Sequence, residues 1–463
     1  MASGRFFASA EALAASDLRA EGRARGQQLP EVRVRPPGPR SSELAARLAA
    51  VESPSVDARR QERARESGQA QTPIVYARAE GANVVDVDGN VYVDLAAGFG
   101  ALLLGHVPAT VARAVEQQQE RMWLALGDVY PSEPKVDLCE RLVKLYPRAG
   151  ARVMLGSTGA DSVTAALKSA VLTTGRAGVV AFEGGYHGLS YGPLAACGLR
   201  PAFRDPFAEQ LNTHVTFAPY PGDGVALDET LASVTKALAQ GNVGAVLVEP
   251  ILGRGGCVVP PPGFLPALRA ACDNANALLV CDEIWTGLGR SGAWLASVAQ
   301  GALPDIVCLG KGLGSGLAIS ACIGSGRAMA TWAAHGGTTV HTATHFGAPL
   351  ACAAAIATLA ALEEGGLPER ASAAGNRWMA MLRECTGGRG VKQVRGRGLM
   401  VGIALEGGPT RAIAVTRGLL ERGWIVSVGG ALGDVLTLTP PLDIDIRLLD
   451  AFAASLPDVL EGR

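Results

Sequence analysis

Lys311 stands in "CLGKGLGSG", residues 308–316, directly after the apolar run "DIVCL" and among four glycines. Glycine lets a backbone turn sharply and come close to a bound group, so the amine is placed where a ligand can be met at short range. Three other stretches carry matching chemistry. "CDEIWTGLGRSG" ends an apolar run at Asp282, and "FEGGYHGLS" puts Tyr186 and His187 just past another. "LGSTGADSVTAALKSA" passes from an apolar run through a Ser/Thr/Gly turn into a helical pattern, whose first free N–H groups suit an anion. An amine, a carboxylate, an anion cradle and a flat ring are what pyridoxal phosphate requires. The lysine holds its aldehyde as an imine, and the carboxylate keeps its pyridine nitrogen protonated. The helix start takes the phosphate and the aromatic ring stacks.

Other uses of the lysine fit less well. A Walker loop needs a glycine where Asp305 stands and a Ser or Thr where Gly312 stands. A dinucleotide GxGxxG fails because Leu317 takes the place of the third glycine. A solvated surface charge is the plain reading of any lone lysine, and the company of Asp282 and the phosphate turn sets it aside.

The elements that must position these groups follow from patterning. The chain has 463 residues, 48% apolar and 18% charged, with net charge −1. That size allows two or three domains with real cores, and that charge gives no field for nucleic acid or an anionic membrane. No apolar run approaches the roughly 18 residues of a membrane span. Nine cysteines occur without a CxxC or Cys/His cluster, so neither a metal site nor a disulfide framework is expected, and a reducing cytoplasm is the expected compartment. From about residue 150, short runs such as "GVVAFEG", "AVLVEPI" and "ALLVCDE" are apolar on both faces, the pattern of a mostly parallel α/β sheet. "NVVDVDGNVYVDL" predicts a hairpin about Asp88-Gly89-Asn90. "SSELAARLAAVES", with a capping-type serine, predicts a short helix, and "PATVARAVEQQQERMWLAL" and "PKVDLCERLVKLYP" predict two more. The division expected is a loosely attached extension over 1–40, one part of a small domain over 41–105, a large α/β domain over 106–348, and the rest of a small α+β domain over 349–463. In such sheets ligands sit at the carboxyl ends of strands, where Asp282 and Lys311 both fall.

With those residues in place, the chain resembles the class III pyridoxal-phosphate-dependent aminotransferases, of the aspartate aminotransferase fold (fold type I). The resemblance rests on "AAGFGALLLGH", "STGADSVTAALK", "GGYHG", "VEPILGRGG", "CDEIWTGLGRSG", "PDIVCLGKGLGSG", "HTATHFGAPLACAAA" and "VRGRGLMVGIAL", in the family's order. It implies Lys311 as the Schiff-base lysine and proton shuttle, and Asp282 as the partner of the pyridine nitrogen. It implies Thr158, Gly159 and Ala160 as the phosphate turn and Tyr186 as the stacking residue, with His187 beside it. Thr344 would reach the phosphate of a neighbouring subunit, which implies a homodimer with active sites at its interface.

The departures bear on substrate. Trp285 stands where the family often has a glutamine that bonds the cofactor's 3′ oxygen. In "VLTLTPPL", Thr437 stands where a carboxylate-binding arginine is usual, and Val171 stands where 4-aminobutyrate enzymes have another. Arg254, in "GRGG", replaces the glutamate that often pairs with the first arginine. The expectation is that Arg254 binds the substrate carboxylate, that Phe99 narrows the pocket opposite, and that Glu283, Glu249 and Arg395 are structural. The leading reading is a ping-pong transaminase moving an amino group from an ω-amino acid, diamine or small amine to a 2-oxo acid. A racemase, epimerase, aminomutase or decarboxylase on the same cofactor is the alternative. A non-catalytic scaffold keeping the fold is the remote one.

Overall fold

The computed structural model describes residues 26–334 and 337–463. Its centre is a seven-stranded sheet in the order Arg152–Gly156, Ser320–Gly324, Ile306–Leu309, Leu278–Asp282, Val243–Val248, Gly178–Phe182, Val215–Ala218. Only Ser320–Gly324 runs against the rest. The apolar runs read from the sequence are therefore strands of a mostly parallel sheet buried on both faces. Alternation along each strand decides which residue meets which layer. Val179, Ala181, Leu278 and Val280 pack with Val163, Ala166 and Ala170 of the helix Gly159–Thr174. Val180, Phe182, Leu279 and Cys281 pack with Leu265 and Leu268 of the helix Phe264–Ala275 on the other face. Each Val, Leu or Phe among them contributes about 1.5–3 kcal/mol when fully buried. Continuing the alternation past Cys281 turns Asp282 toward the Gly159–Thr174 side.

The smaller part has two sheets. One is antiparallel, in the order Val391–Arg397, Met400–Leu405, Val435–Leu438, Ser427–Gly429. The other joins Tyr76–Glu80, Asn83–Asp86 and Val91–Asp94 to Trp424–Ile425, so sequence from both ends of the chain meets in one sheet. The predicted hairpin is present, with Gly89 at φ +88° in its turn.

Three expectations need correction. Residues 1–25 of the proposed extension lie outside the described residues, but 26–40 are not loosely attached. Glu31 pairs with Val91, and the Asn90 carboxamide oxygen accepts from the N–H groups of Arg33 and Val34 at 2.8 and 2.9 Å. Asn83 likewise accepts from Gln28 N–H at 2.7 Å. Two buried amides in the hairpin thus supply the partners that the Pro- and Arg-rich composition conceals. The helix expected over "PATVARAVEQQQERMWLAL" stops at Gln119, and the Gln118 side chain caps the end by donating to the Met122 carbonyl at 2.9 Å. The helix over "SSELAARLAAVES" starts earlier than its serines, at Pro39, with Gly38 rather than a serine at the cap.

Among the described residues no single helix is long and apolar enough to cross a membrane. A bent pair, Pro349–Glu364 and Leu367–Thr386, passes on length and composition, but it supplies core residues such as Cys352, Leu362 and Trp378. No group of metal-binding side chains occurs among the described residues.

Candidate active site

The strand ends converge on one open pocket. It is lined by Gly159, Ala160, Tyr186, His187, Gly188, Glu249, Arg254, Asp282, Ile284, Trp285 and Lys311. Eight of the residues singled out in the sequence for chemistry therefore meet in one place.

Lys311 follows the strand Ile306–Leu309 and begins a 3₁₀ turn, Lys311–Gly314, with φ +36° in the left-handed region. Such a conformation costs a non-glycine residue on the order of 1–3 kcal/mol. The glycine after it is fixed by space, since a Cβ on Gly312 would lie 2.3 Å from Leu103 Cδ1. Loss of water around the half-buried amine lowers its pKa from the ordinary lysine value, with Asp282 and Glu249 opposing the shift.

Asp282 is 3% exposed and fully held. One carboxylate oxygen accepts from Ile284 N–H at 3.1 Å and the other meets His187 Nδ1 at 2.7 Å. Burial works against a charged His187, but the hydrogen bond and charge of Asp282, with Glu249, outweigh it and raise the imidazole above its usual pKa. Its Nε2 is buried without a partner.

The helix Gly159–Thr174 starts with a reciprocal cap. Thr158 Oγ1 accepts from Asp161 N–H, while the Asp161 carboxylate accepts from Ser157 and Thr158 N–H at 3.0 and 2.8 Å. The side chain of Thr158 is thus spent on the cap, and Thr158 does not line the pocket. Gly159 and Ala160 do, and their N–H groups at the helix start have no acceptor one turn back. A Cβ on Gly159 would meet Ile284 Cδ1 at 2.8 Å, so a larger residue in the turn would have to displace Ile284.

Three lining residues escaped the sequence reading. Gly188 lies against Ala160, where a Cβ would come within 3.0 Å of the Ala160 methyl. Ile284 faces the phosphate turn two residues beyond Asp282. Glu249, read as structural, is 5% exposed and fixes Tyr186 by accepting from its N–H at 2.8 Å and from Gly253 N–H at 2.9 Å. Burial pushes its carboxyl up to about 7. Its position ending the run "AVLVEP", parallel to "ALLVCD", was the signal available for it.

The other expectations divide. Arg254 is in the pocket, its guanidinium carbon 4.5 Å above the Tyr186 ring. Trp285 is in the pocket wall, 6% exposed, with its indole N–H buried and unpaired. Phe99 stands 68% exposed and Thr344 is exposed, and neither lines the pocket of the single chain. Glu283 is structural as read, accepting from Thr286, Ala296 and Ser297. Arg395 bonds Gly256 O at 2.8 Å and pairs with Asp223 at 2.9 Å.

These residues fit pyridoxal phosphate. The unpaired N–H groups of Gly159 and Ala160 suit its phosphate, the buried Asp282 suits a ring N–H⁺, and Tyr186 supplies a flat wall. Lys311 offers an amine whose protonated form burial disfavours. The orphaned Trp285 N–H and His187 Nε2 are polar atoms that a polar ligand would satisfy.

Comparison with known proteins points the same way. The sequence model of the family described as "Aminotransferase class-III" matches residues 64–460. The chain is 39% identical to an acetylornithine aminotransferase of Methanopyrus kandleri over 84% of this chain and 95% of that one. It is 38% identical to the acetylornithine aminotransferase of Mycobacterium tuberculosis over 84% and 92%. Among solved structures it resembles an ornithine aminotransferase from Toxoplasma gondii, crystallised with partial occupancy of PLP at the active site (TM-score 0.76, 29% identity, 84% of this chain and 90% of that one). It also resembles a PLP-bound amine transaminase from an uncultivated Pseudomonas species (TM-score 0.79, 27% identity, 85% and 95%).

Proposed function

The chain belongs to the class III aminotransferases, with pyridoxal phosphate as cofactor, and from that premise we propose that it moves the amino group of an ω-amino acid, diamine or small amine to a 2-oxo acid in two half-reactions. The observation that carries this reading is the placement of Lys311, Asp282 and the start of the helix Gly159–Thr174 in one pocket.

When bound, pyridoxal phosphate supplies an aldehyde carbon and an electron-withdrawing ring that weakens a neighbouring C–H bond. The chain does the rest. Gly159 and Ala160 N–H groups hold the phosphate, and Tyr186, fixed by Glu249, holds the ring's plane. Asp282, oriented by Ile284 N–H and His187, holds positive charge at the ring nitrogen. Lys311, its pKa lowered, takes the proton from the substrate carbon as a base and returns it as an acid. Arg254, resting on Tyr186, offers a bidentate fork to a substrate carboxylate in place of the arginine that Thr437 replaces.

Acetylornithine, named for the curated relatives, itself carries an ω-amine and a carboxylate, which is the donor class proposed. The exposed apolar run Met122, Trp123, Leu124, Leu126, Val129 and Tyr130, on the same chain as exposed Phe99, supports a homodimer whose interface completes the site. Nine unpaired thiols are consistent with a reducing cytoplasm.

The test is a single half-reaction. Holoenzyme mixed with 4-aminobutyrate, butane-1,4-diamine or butylamine, without an acceptor, should yield one carbonyl product per site. A 2-oxo acid added afterwards should recover the amino group. Exchange of a substrate C–H proton with solvent, without carbonyl product, would replace the transaminase with the racemase.

A further inference from the structure

Four successive residues behind the pocket wall are left-handed. Ala97, Gly98, Phe99 and Gly100 have φ +42°, +60°, +58° and +78°, and ψ at Gly98 and Phe99 is +42° and +40°. L-residues visit this region singly and at a cost, because Cβ crowds the following carbonyl, and two of these four are not glycine. Such a turn persists only where its surroundings over-determine it, and strain of this kind gathers at functional sites.

Asp94 holds its entry. This carboxylate, 2% exposed at the end of the strand Val91–Asp94, accepts from Ala96 and Ala97 N–H at 2.9 and 2.8 Å with one oxygen. Its other oxygen meets His106 Nε2 at 3.0 Å, and His106 is itself fixed by two backbone bonds exchanged with Gly81, at 2.7 and 2.9 Å. The Ala96 carbonyl accepts from Gly100 N–H at 2.9 Å and from the buried Thr439 hydroxyl at 3.0 Å. The Ala97 carbonyl accepts from Leu102 N–H at 3.0 Å, which fixes the exit. The turn delivers Gly100 against the pyrrole edge of Trp285, where a Cβ would lie 2.1 Å from Nε1 and 2.8 Å from Cδ1. Gly253 stops the benzo edge, and the Trp285 backbone follows Glu283, whose carboxylate accepts from Thr286, Ala296 and Ser297. The Lys311 amine lies over the ring so held, 4.6 Å from its centre.

Resting on the reading of Lys311 as the amine that holds the cofactor, we propose that the left-handed turn Ala97–Gly100 is the stop that seats the Trp285 indole against that amine, and that Asp94 is the positioning residue that holds the turn. Asp94 does not line the pocket and acts through Ala96, Ala97 and Gly100 on Trp285. Asp282, Glu249 and Arg254 also face the amine and stay unchanged in every variant below.

The experiment follows the pH dependence of Lys311 acetylation by acetic anhydride in the full-length apoprotein, with peptide mass spectrometry as the readout, because only the neutral amine reacts. Trp285→Leu removes the aromatic face that favours the charged amine and should move the profile to lower pH. Asp94→Ala should move it the same way, and Thr439→Val should do so by less. Asp94→Asn keeps an oxygen for the two N–H groups and should restore most of the original profile. In the Trp285→Leu background, Asp94→Ala should move the profile no further, because its effect travels through the indole. Asn83→Ala breaks buried hydrogen bonds in the same sheet, so it should lower the unfolding midpoint and leave the profile in place. That control separates positioning from general loosening. An Asp94→Ala profile that stays in place or moves to higher pH, or that shifts equally with and without Trp285, overturns the proposal. If Asp94→Ala does not fold, Thr439→Val decides by the same criteria. Acetylation needs neither cofactor nor substrate, so absence of turnover in the unmutated holoenzyme would count against the proposed function and leave this result standing.

Discussion

The Lys311 amine stands 4.6 Å from the centre of the Trp285 indole ring. That ring is itself held between two glycines. A Cβ on Gly100 would lie 2.1 Å from Trp285 Nε1, and one on Gly253 would lie 2.4 Å from Cε3. The tryptophan, the two glycines and the lysine thus form one fitted unit, and the wall beside the amine is rigid.

The fit predicts a coupled loss of stability. Gly253→Ala should cost about 1–3 kcal/mol by overpacking, and Trp285→Ala about 3–5 kcal/mol by leaving a cavity. Combined, they should cost less than their sum by about 1 kcal/mol, because the added methyl then meets empty space. Urea unfolding of the four proteins measures the cycle, and strict additivity would disprove the clamp.

A cation over an aromatic face favours the charged amine by about 0.5–2 kcal/mol. Trp285→Leu should therefore lower the Lys311 pKa further, whereas Trp285→Phe should lower it less. The pH dependence of the rate at which added pyridoxal phosphate combines with apoprotein reports this, because only the neutral amine reacts. A profile that moves to higher pH in Trp285→Leu contradicts the contact.

Asp282 and His187 act through one short hydrogen bond. Asp282→Asn keeps the shape and an oxygen for Ile284 N–H but removes the charge. Transaminase kcat should fall by about 10²–10⁴-fold, with a smaller change in KM and little change in unfolding midpoint. Retention of kcat within about tenfold would remove Asp282 from the chemistry.

Glu249 gives the stability of the apoprotein a definite pH slope. Its folded pKa, about 7, lies above its ordinary 4.5, and that of His187 is also raised. The folded chain then holds protons that the unfolded chain has released, so stability is greatest below the unfolded values and falls as pH rises through the folded ones. The Glu249 share is of the order of 3 kcal/mol between pH 4.5 and 7. Glu249→Gln should flatten that fall, although it forfeits one of the two backbone N–H bonds and starts from lower stability at acid pH. Denaturant midpoints from pH 5 to pH 8 test it, and parallel curves for the two proteins would contradict the raised pKa.

What the sequence disclosed was what chemistry or period demands. Lys311, Asp282, Tyr186 and the Gly159 turn had to end apolar runs, and alternation along "LLVCD" fixes the face on which Asp282 emerges. Glu249 ends an apolar run as Asp282 does, but its partners are the backbone N–H groups of Tyr186 and Gly253, which carry no side-chain signal that would mark it as part of the site. Ile284 and Gly188 were hidden because apolar and glycine positions look alike whether they line a pocket or fill a core. The attachment of residues 26–40 depends on Asn83 and Asn90, some 55 residues away, and composition registers no such distant partners. Phe99 and Thr344 stand exposed on a single chain, which is where a role at a subunit interface would leave them.

The central claim is that Lys311 is the amine that holds the cofactor and moves the substrate's proton. The most direct measurement is the visible absorption of the purified protein and of Lys311→Ala, each supplied with pyridoxal phosphate, before and after an ω-amino acid. The account predicts a protein-bound visible band in the first that the donor bleaches, with no such lysine-linked band and no turnover in the second. The same band and the same bleaching rate in Lys311→Ala would show that another group does this work, and would contradict it.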